Sequence, residues 1–348
     1  MWKGSFPRPS PDGRKNVVSS IDFAKDLGIY KPLRVTELYN QNNYGIALWD
    51  KYMVFNSGNL YDISDVSNPI LKATIPYRDF VCTNDKYVIC NSSGAAYLSV
   101  NEINPDGTLN NINNCQIASN NMQKLDTDGE YLYYMITNWS TSNCSLRKSL
   151  MTDPSTVIWE KSITKGGVDM YIPKKNHPYV YVVYSDQSNK YMFIDKYDKI
   201  TGNRVASITL VNNAYTMQGN GKILGIDYDT GEVYVTYGYV WVSGQAADYY
   251  LTKINANFSD VAWARTGWTG TVTAVYLRAK DVFTLYVPGT GTDVKVARKD
   301  SSSLLGTLSE SATQIGELVY GYDEKKCLIR KSMLSAGTIN LSLCITKT

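Results

Sequence analysis

Histidine is almost missing from this chain: 348 residues contain one, His177. A single imidazole excludes a multi-histidine metal site and leaves histidine-based catalysis without partners. His177 sits in KKNHPY, directly before Pro178, and reads as an exposed turn residue. Long apolar runs are missing too. No stretch approaches the roughly 18 residues of a membrane helix. The N-terminus MWKGSFPRPSPDGRKNVVSS is basic but carries no apolar signal-peptide segment. A charge of one sign is also lacking: 35 Lys plus Arg against 32 Asp plus Glu leave a net of +3. That gives no general drive toward nucleic acid or an anionic membrane. The cysteines Cys82, Cys90, Cys115, Cys144, Cys327 and Cys344 form no C-x-x-C pair and no zinc spacing. They read as reduced, mostly buried thiols. No P-loop, G-x-S-x-G elbow or dinucleotide fingerprint stands in a strand–helix setting. No cofactor and no metal is expected.

Tyrosine is abundant, with 28 residues against 7 phenylalanines. From about Leu33 onward, short runs of Val, Ile, Tyr, Thr and Leu alternate with Asn, Asp, Gly and Pro, the pattern of many short strands. The runs repeat. An apolar segment, a polar turn and a second apolar segment occur as IALWDKYMVF from Ile46 and FVCTNDKYVIC from Phe80. They return as KLDTDGEYLYYM from Lys124, MYIPKKNHPYVYVV from Met170 and ILGIDYDTGEVYVTY from Ile223. AVYLRAKDVFTLYV from Ala274 and LVYGYDEKKCLIR from Leu318 complete the set. The second segments start near Tyr52, Tyr87, Tyr131, Tyr179, Val233, Val282 and Cys327, spaced about 46 residues apart, as in four-stranded propeller blades. A further hairpin follows most copies, for example MFIDKYDKITGNRVASITL from Met192. Each unit therefore reads as strands a, b, c and d.

The expected fold is all-β: a seven-bladed β-propeller of four-stranded antiparallel blades. Tandem two-sheet sandwiches are the structural alternative. The seventh unit ends after its third strand, TINLSLCITKT, and an orphan strand, PLRVTEL at Pro32–Leu38, precedes the first unit. Pairing the two closes the ring with the N-terminal strand outermost and removes an exposed edge. The domain reading is residues 1–30 as an N-terminal arm and residues 31–348 as the propeller.

GNLYDISDVSNPILKATIP (Gly58–Pro76) resembles the LVIVD-type propeller repeat with its D-x-S-x-x-x-N-P turn. The c–d hairpins around KITGNRV at Lys199, VIWEKS at Val157 and VAWART at Val261 resemble quinoprotein-like blades. That resemblance implies a glycine turn and a tryptophan strand whose indole docks between blades, a slot filled here by Trp159 and Trp263. It supports the fold and implies no cofactor chemistry.

The arm carries Pro7, Pro9 and Pro11 among Lys3, Arg8, Arg14 and Lys15, a spacing that favours extended chain. Ser19 or Ser20 can cap a short helix through IDFAKDLG, ending at Gly28. Trp2 and Phe6 read as anchors, because solvating tails contain few aromatics.

Candidate chemistry falls in three places. Arg78, Asp79, Asp169 and Glu317 stand where inner strands begin, at the channel mouth. Two carboxylates across a channel serve glycoside hydrolysis, or equally hold blades together. Asp126-Thr127-Asp128-Gly129-Glu130 and Asp227-Tyr228-Asp229-Thr230-Gly231-Glu232 resemble calcium loops. Both, however, fill the a–b turn, where Asp and Gly serve the turn itself, and both lack a distal bidentate Glu. Trp139 and Trp241 in b–c connections and Trp268 in a d–a connection map to one face, joined by Tyr239 and Tyr44. Loop aromatics of this kind anchor protein or sugar.

The functional expectation is a non-enzymatic interaction module. Its most specific form is a structural protein of a bacteriophage virion or tail, held to other proteins of a large assembly by its arm and located in the virion or cytoplasm. The rivals are a glycan-binding or adhesin propeller and a glycosidase or lyase with a channel-mouth active site.

Overall fold

The computed structural model describes residues 29–36, 46–49, 51–55, 58–62, 64, 69–75, 81–84, 86–92, 97–117, 121–138, 143–163, 167–173, 176–186, 191–211, 216–240, 248–268, 273–277, 283–287, 293–298, 304–309, 318–323, 326–335 and 338–345. Side-chain surroundings are described for parts of the stretch 51–262. The strands are β1 (Ile29–Thr36); β2 to β5 (Ile46–Trp49, Tyr52–Phe55, Asn59–Asp62, Ile70–Thr74); and β6 to β9 (Val81–Asn84, Tyr87–Ser92, Tyr97–Ile103, Leu109–Gln116). Next come β10 to β13 (Asn121–Thr127, Tyr131–Asn138, Asn143–Leu150, Val157–Ile163) and β14 to β17 (Gly167–Tyr171, Tyr179–Asp186, Tyr191–Asp198, Arg204–Val211). The chain continues with β18 to β21 (Thr216–Ile226, Val233–Val240, Asp248–Ile254, Val261–Trp268) and β22 to β25 (Thr273–Leu277, Phe283–Val287, Asp293–Arg298, Leu304–Ser309). It ends with β26 to β28 (Leu318–Asp323, Lys326–Ser335, Thr338–Ile345).

These strands form four-stranded antiparallel sheets, each a meander of four consecutive strands except one. In that one, β26, β27 and β28 are followed by β1, with Leu33 opposite Leu341 and Thr36 opposite Thr338. The first strand of each sheet lies against the first strand of the next, and β2 also lies against β26. The architecture is therefore a β-propeller repeat. Strand β1 begins at Ile29, three residues before the expected Pro32, and its last described residue is Thr36 rather than Leu38. The arm segment before Ile29, including Trp2, Phe6 and the expected short helix, lies outside the described residues.

The core is a series of layers between neighbouring sheets, and the second strands show why. In β11, Leu132, Tyr134 and Ile136 pack toward the preceding sheet with Ile89, Leu98 and Val100. The alternate residues Tyr133 and Met135 pack toward the following sheet with Met170, Val180 and Val182. Both faces of the strand are covered, so it reads as an unbroken apolar run rather than an alternating one. Each such side chain contributes about 1.5–3 kcal/mol by leaving water. The outermost strands differ. In β17, Val205, Ser207 and Thr209 face solvent while Ala206, Ile208 and Leu210 pack inward.

Candidate functional site

The best-defined polar cluster lies along the inner strands and the a–b turns of three consecutive sheets. Asp169, the third residue of β14, is buried at 7% exposure. Its Oδ2 accepts the Ile223 N–H of β18 at 2.9 Å, and its Oδ1 meets Lys124 Nζ of β10 at 3.0 Å. One carboxylate thus joins three sheets. Asp126 Oδ1 accepts the Thr127 N–H at 2.8 Å, and the Asp126 carboxyl also accepts from the Ile172 backbone, just beyond β14. Burial, reinforced by the Asp169 charge, pushes the Asp126 carboxyl up to about 7 against the pull of those N–H donors and Lys199.

A carboxyl raised in the fold is destabilising when ionised. The penalty is absent below about pH 4, grows as pH rises, and is complete above about pH 7. The full shift corresponds to about 4 kcal/mol. Because Asp126 as a residue is only half-buried, solvent screening reduces this to about 1–2 kcal/mol. Asp126→Asn keeps an acceptor for both N–H groups and removes the charge. Its stability relative to the wild type should rise by about 1–2 kcal/mol between pH 4.5 and pH 8 in urea titrations. A pH-independent difference counts against the assignment.

Below this wall, Asp128 is saturated. Its Oδ1 accepts from the Glu130 and Tyr131 N–H groups at 3.1 and 3.0 Å, and its Oδ2 from the Tyr133 hydroxyl at 2.9 Å. Lys199 Nζ, from the c–d turn of the next sheet, meets the same Oδ2 at 3.1 Å and donates to Pro173 O at 2.7 Å. Burial alone would raise the Asp128 carboxyl; the Tyr131 N–H, the Lys199 charge and the other donors outweigh it and hold the group below the usual carboxylate range. The second calcium-like turn is arranged in the same way, with fully buried Asp227 accepting the Asp229 N–H at 3.0 Å. Among the described residues, no three His, Cys, Asp or Glu side chains gather to hold a metal ion.

Lysines latch neighbouring sheets. Lys148 Nζ sits 3.8 Å from the Tyr131 ring centroid and donates to Lys199 O at 3.0 Å. In the next sheet, Lys196 Nζ sits 4.1 Å from the Tyr179 ring and donates to Ala256 O at 3.1 Å. These are equivalent positions, each opposite the third residue of its second strand, Tyr133 and Tyr181. A cation over an aromatic face that also reaches a carbonyl combines two modest attractions in one side chain. Sequence reading missed Lys148, Lys196 and Lys199. The identical separation of Tyr131 from Lys148 and of Tyr179 from Lys196 was a signal within reach.

Trp159 of β13 does dock between sheets. Its Nε1 donates to Lys199 O at 3.0 Å, and its indole lies against Gly202, whose φ of 69° fits a residue without Cβ. A Cβ built on Gly202 would come within 2.7 Å of the indole. His177 departs from the expected exposed turn. It is half-buried against Tyr179, Tyr181 and Tyr228, with ring centroids 5.8–6.0 Å apart. Burial lowers its imidazole to about 4, so it is neutral in the physiological range.

Of the channel-mouth residues, only Asp169 is described; Arg78, Asp79 and Glu317 lie outside the described residues, as do Trp139, Trp241 and Tyr44. Two aromatics expected in connections belong to strands. Trp268 is the last residue of β21, opposite Tyr249, and Tyr239 lies in β19, opposite Asp248. Pairing with a neighbouring strand carried both strands further than the sequence pattern indicated. Cys90 and Cys115 are free thiols, and burial raises Cys90 to about 12, which keeps it a thiol.

No family model and no curated protein matches this chain. Solved structures do. The WD40 domain of Toxoplasma gondii coronin superposes with a TM-score of 0.66 at 9% identity, covering 92% of this chain and 86% of that one. The WD40 β-propeller domain of Doa1 gives 0.60 at 10% identity, covering 90% and 96%. At this identity the likeness is one of fold. No described helix is long and apolar enough to cross a membrane.

Proposed function

We propose that this chain is a non-enzymatic protein-interaction module built as a closed seven-bladed ring, residues 31–348, with residues 1–30 as an N-terminal arm. The observation that carries this reading is the state of the inner wall. Asp169 and Asp126 are engaged in joining neighbouring sheets, which leaves the loops and the arm as surfaces for a partner. Ring closure is supported by the β1–β28 pairing and the contact of β2 with β26. Likeness to WD40 domains supports the module class.

The finer reading is a structural component of a bacteriophage virion or tail, in the virion or cytoplasm. Trp2 and Phe6 anchor the arm, and Trp139, Trp241, Trp268, Tyr239 and Tyr44 supply contacts. Its support is the alternating prolines and aromatics of the arm and the Tyr-rich, histidine-poor composition.

A pair of truncations tests both levels. Removing residues 1–15 should leave the melt unchanged and detach the protein from its native particle. Removing residues 1–38 also takes away β1, bares the edge of β28, and should promote aggregation. Incorporation of the shorter truncation at the wild-type level overturns the arm as anchor. A longer truncation that melts like the full chain and stays monomeric overturns ring closure.

A further inference from the structure

Two neighbouring seams between sheets are built alike and filled oppositely. At the first, the β10–β13 sheet meets the β14–β17 sheet. Trp159 of β13 stands opposite Lys148, which donates to Lys199 O in the next c–d turn. The indole is tilted against Tyr133 with centroids 6.1 Å apart, and it covers Gly202 of that turn. At the second seam, the β14–β17 sheet meets the β18–β21 sheet. Lys196 takes the part of Lys148 and donates to Ala256 O in the next c–d turn. The two turns close in the same way, by the Asp198 N–H to Asn203 O at 2.9 Å and the Asn255 N–H to Asp260 O at 3.1 Å. The residue opposite Lys196, and so in the place of Trp159, is Ala206. An aromatic ring fills this seam as well, but it comes from the other side. Phe258 of the turn is 4% exposed and stacks at 5.6 Å on Tyr181, the counterpart of Tyr133. Lys196 Nζ lies 5.5 Å from the Phe258 ring, and Ala206 packs against the same apolar layer.

Phe258 has a φ of 59°, a left-handed conformation that bulky residues seldom adopt. Such a residue persists where its surroundings hold it, here by burial against Tyr181. One seam thus sets a large strand residue against a bare turn, and the other a small strand residue against a filled turn. The combinations do not interchange. Seating β13 against the turn of Phe258 would bring Trp159 and Phe258 into one slot. Seating β17 against a turn like that of Gly202 would leave Ala206 facing an empty slot. Overfilled and hollow interiors both lose stability. Repeat chains, whose units resemble one another, are prone to misassembly, and rejecting the wrong neighbour matters as much as fitting the right one. We propose that Trp159–Gly202 and Ala206–Phe258 are size keys of opposite sense that fix which sheet seats against which. The surface of β13 fits a turn with glycine at the contact. The surface of β17 fits a turn that brings its own aromatic ring.

The test recreates the wrong seating inside the full chain and reads it by thermal melting. Ala206→Trp sets an indole against Phe258 and should lower the melting temperature by about 5 °C or more. Phe258→Gly empties the slot and should lower it too. Combining the two copies the first seam into the second, and the pair should melt above Phe258→Gly alone. The same indole then destabilises beside Phe258 and stabilises in its absence. Ala206→Trp combined with Trp159→Ala is the control, in which the two losses should add. The keys are overturned if the indole lowers the melt with and without Phe258, if it lowers it in neither case, or if Trp159→Ala rescues as well as Phe258→Gly. Should Ala206→Trp fail to fold, comparing the combined variant with Phe258→Gly carries the test by itself. None of these results depends on the arm or on whether the chain copurifies with a particle.

Discussion

Replacing Lys199 with methionine should lower stability by about 3–5 kcal/mol, the usual cost of leaving one member of a buried ion pair without its partner. Both side chains are inside: 6% exposure for Lys199 and 3% for Asp128. Methionine fills a similar volume but supplies no donor to Asp128 Oδ2 or Pro173 O. The dependence on pH has a defined sign. Asp128 is held below the usual carboxylate range, so its stabilisation is present above about pH 4 and is lost as pH falls through its lowered value. The gap between the wild type and Lys199→Met should therefore be full at pH 7 and narrow only in acid, read by urea unfolding at several pH values. Adding Asp128→Asn to Lys199→Met should recover part of the loss, because the remaining pair is uncharged. A single variant within about 1 kcal/mol of the wild type at pH 7 would show that solvent reaches the pair.

Trp159→Ala should cost about 3–5 kcal/mol by removing a large buried side chain from between two sheets. The ring is 8% exposed, stands 6.1 Å from Tyr133, and lies over the Gly202 turn of the next sheet. Its loss also leaves Lys199 O with one donor fewer, although Lys148 still reaches that carbonyl. Trp159→Phe should recover the packing but not the hydrogen bond and fall between the two. Since Trp159 and Lys199 meet at one turn, the double variant should depart from additivity by about 1 kcal/mol. A Trp159→Ala melt indistinguishable from the wild type would remove Trp159 from the interface.

Much of this fold was legible in the sequence. The expected starts of the second strands, Tyr52, Tyr87, Tyr131, Tyr179 and Val233, are the observed ones, and the last two differ by a single residue. Those boundaries are local: a turn residue ends one apolar run and a β-branched or aromatic residue begins the next. The tryptophan slot at Trp159 was implied by the resemblance to quinoprotein-like blades, and the indole does lie against a glycine turn, that of Gly202 in the next sheet. Trp268 and Tyr239 were misplaced because strand ends depend on a neighbouring strand being present to pair with. His177 looked exposed because its sequence neighbours are polar. The rings that cover it come from β15, which it precedes, and from Tyr228 in the next sheet.

By itself, then, the sequence determined the strand order, the hairpin turns and the repeat length. Each of these follows from residue type within a short window and from the period of two that a strand imposes. The tertiary structure alone decided which charges meet. Asp128 and Lys199, Asp169 and Ile223, and Lys196 and Ala256 are far apart in the chain and adjacent only because neighbouring sheets stack face to face. It also decided that Asp126 and Asp169 join sheets. Desolvation and hydrogen bonding act through space, and no spacing along the chain records them.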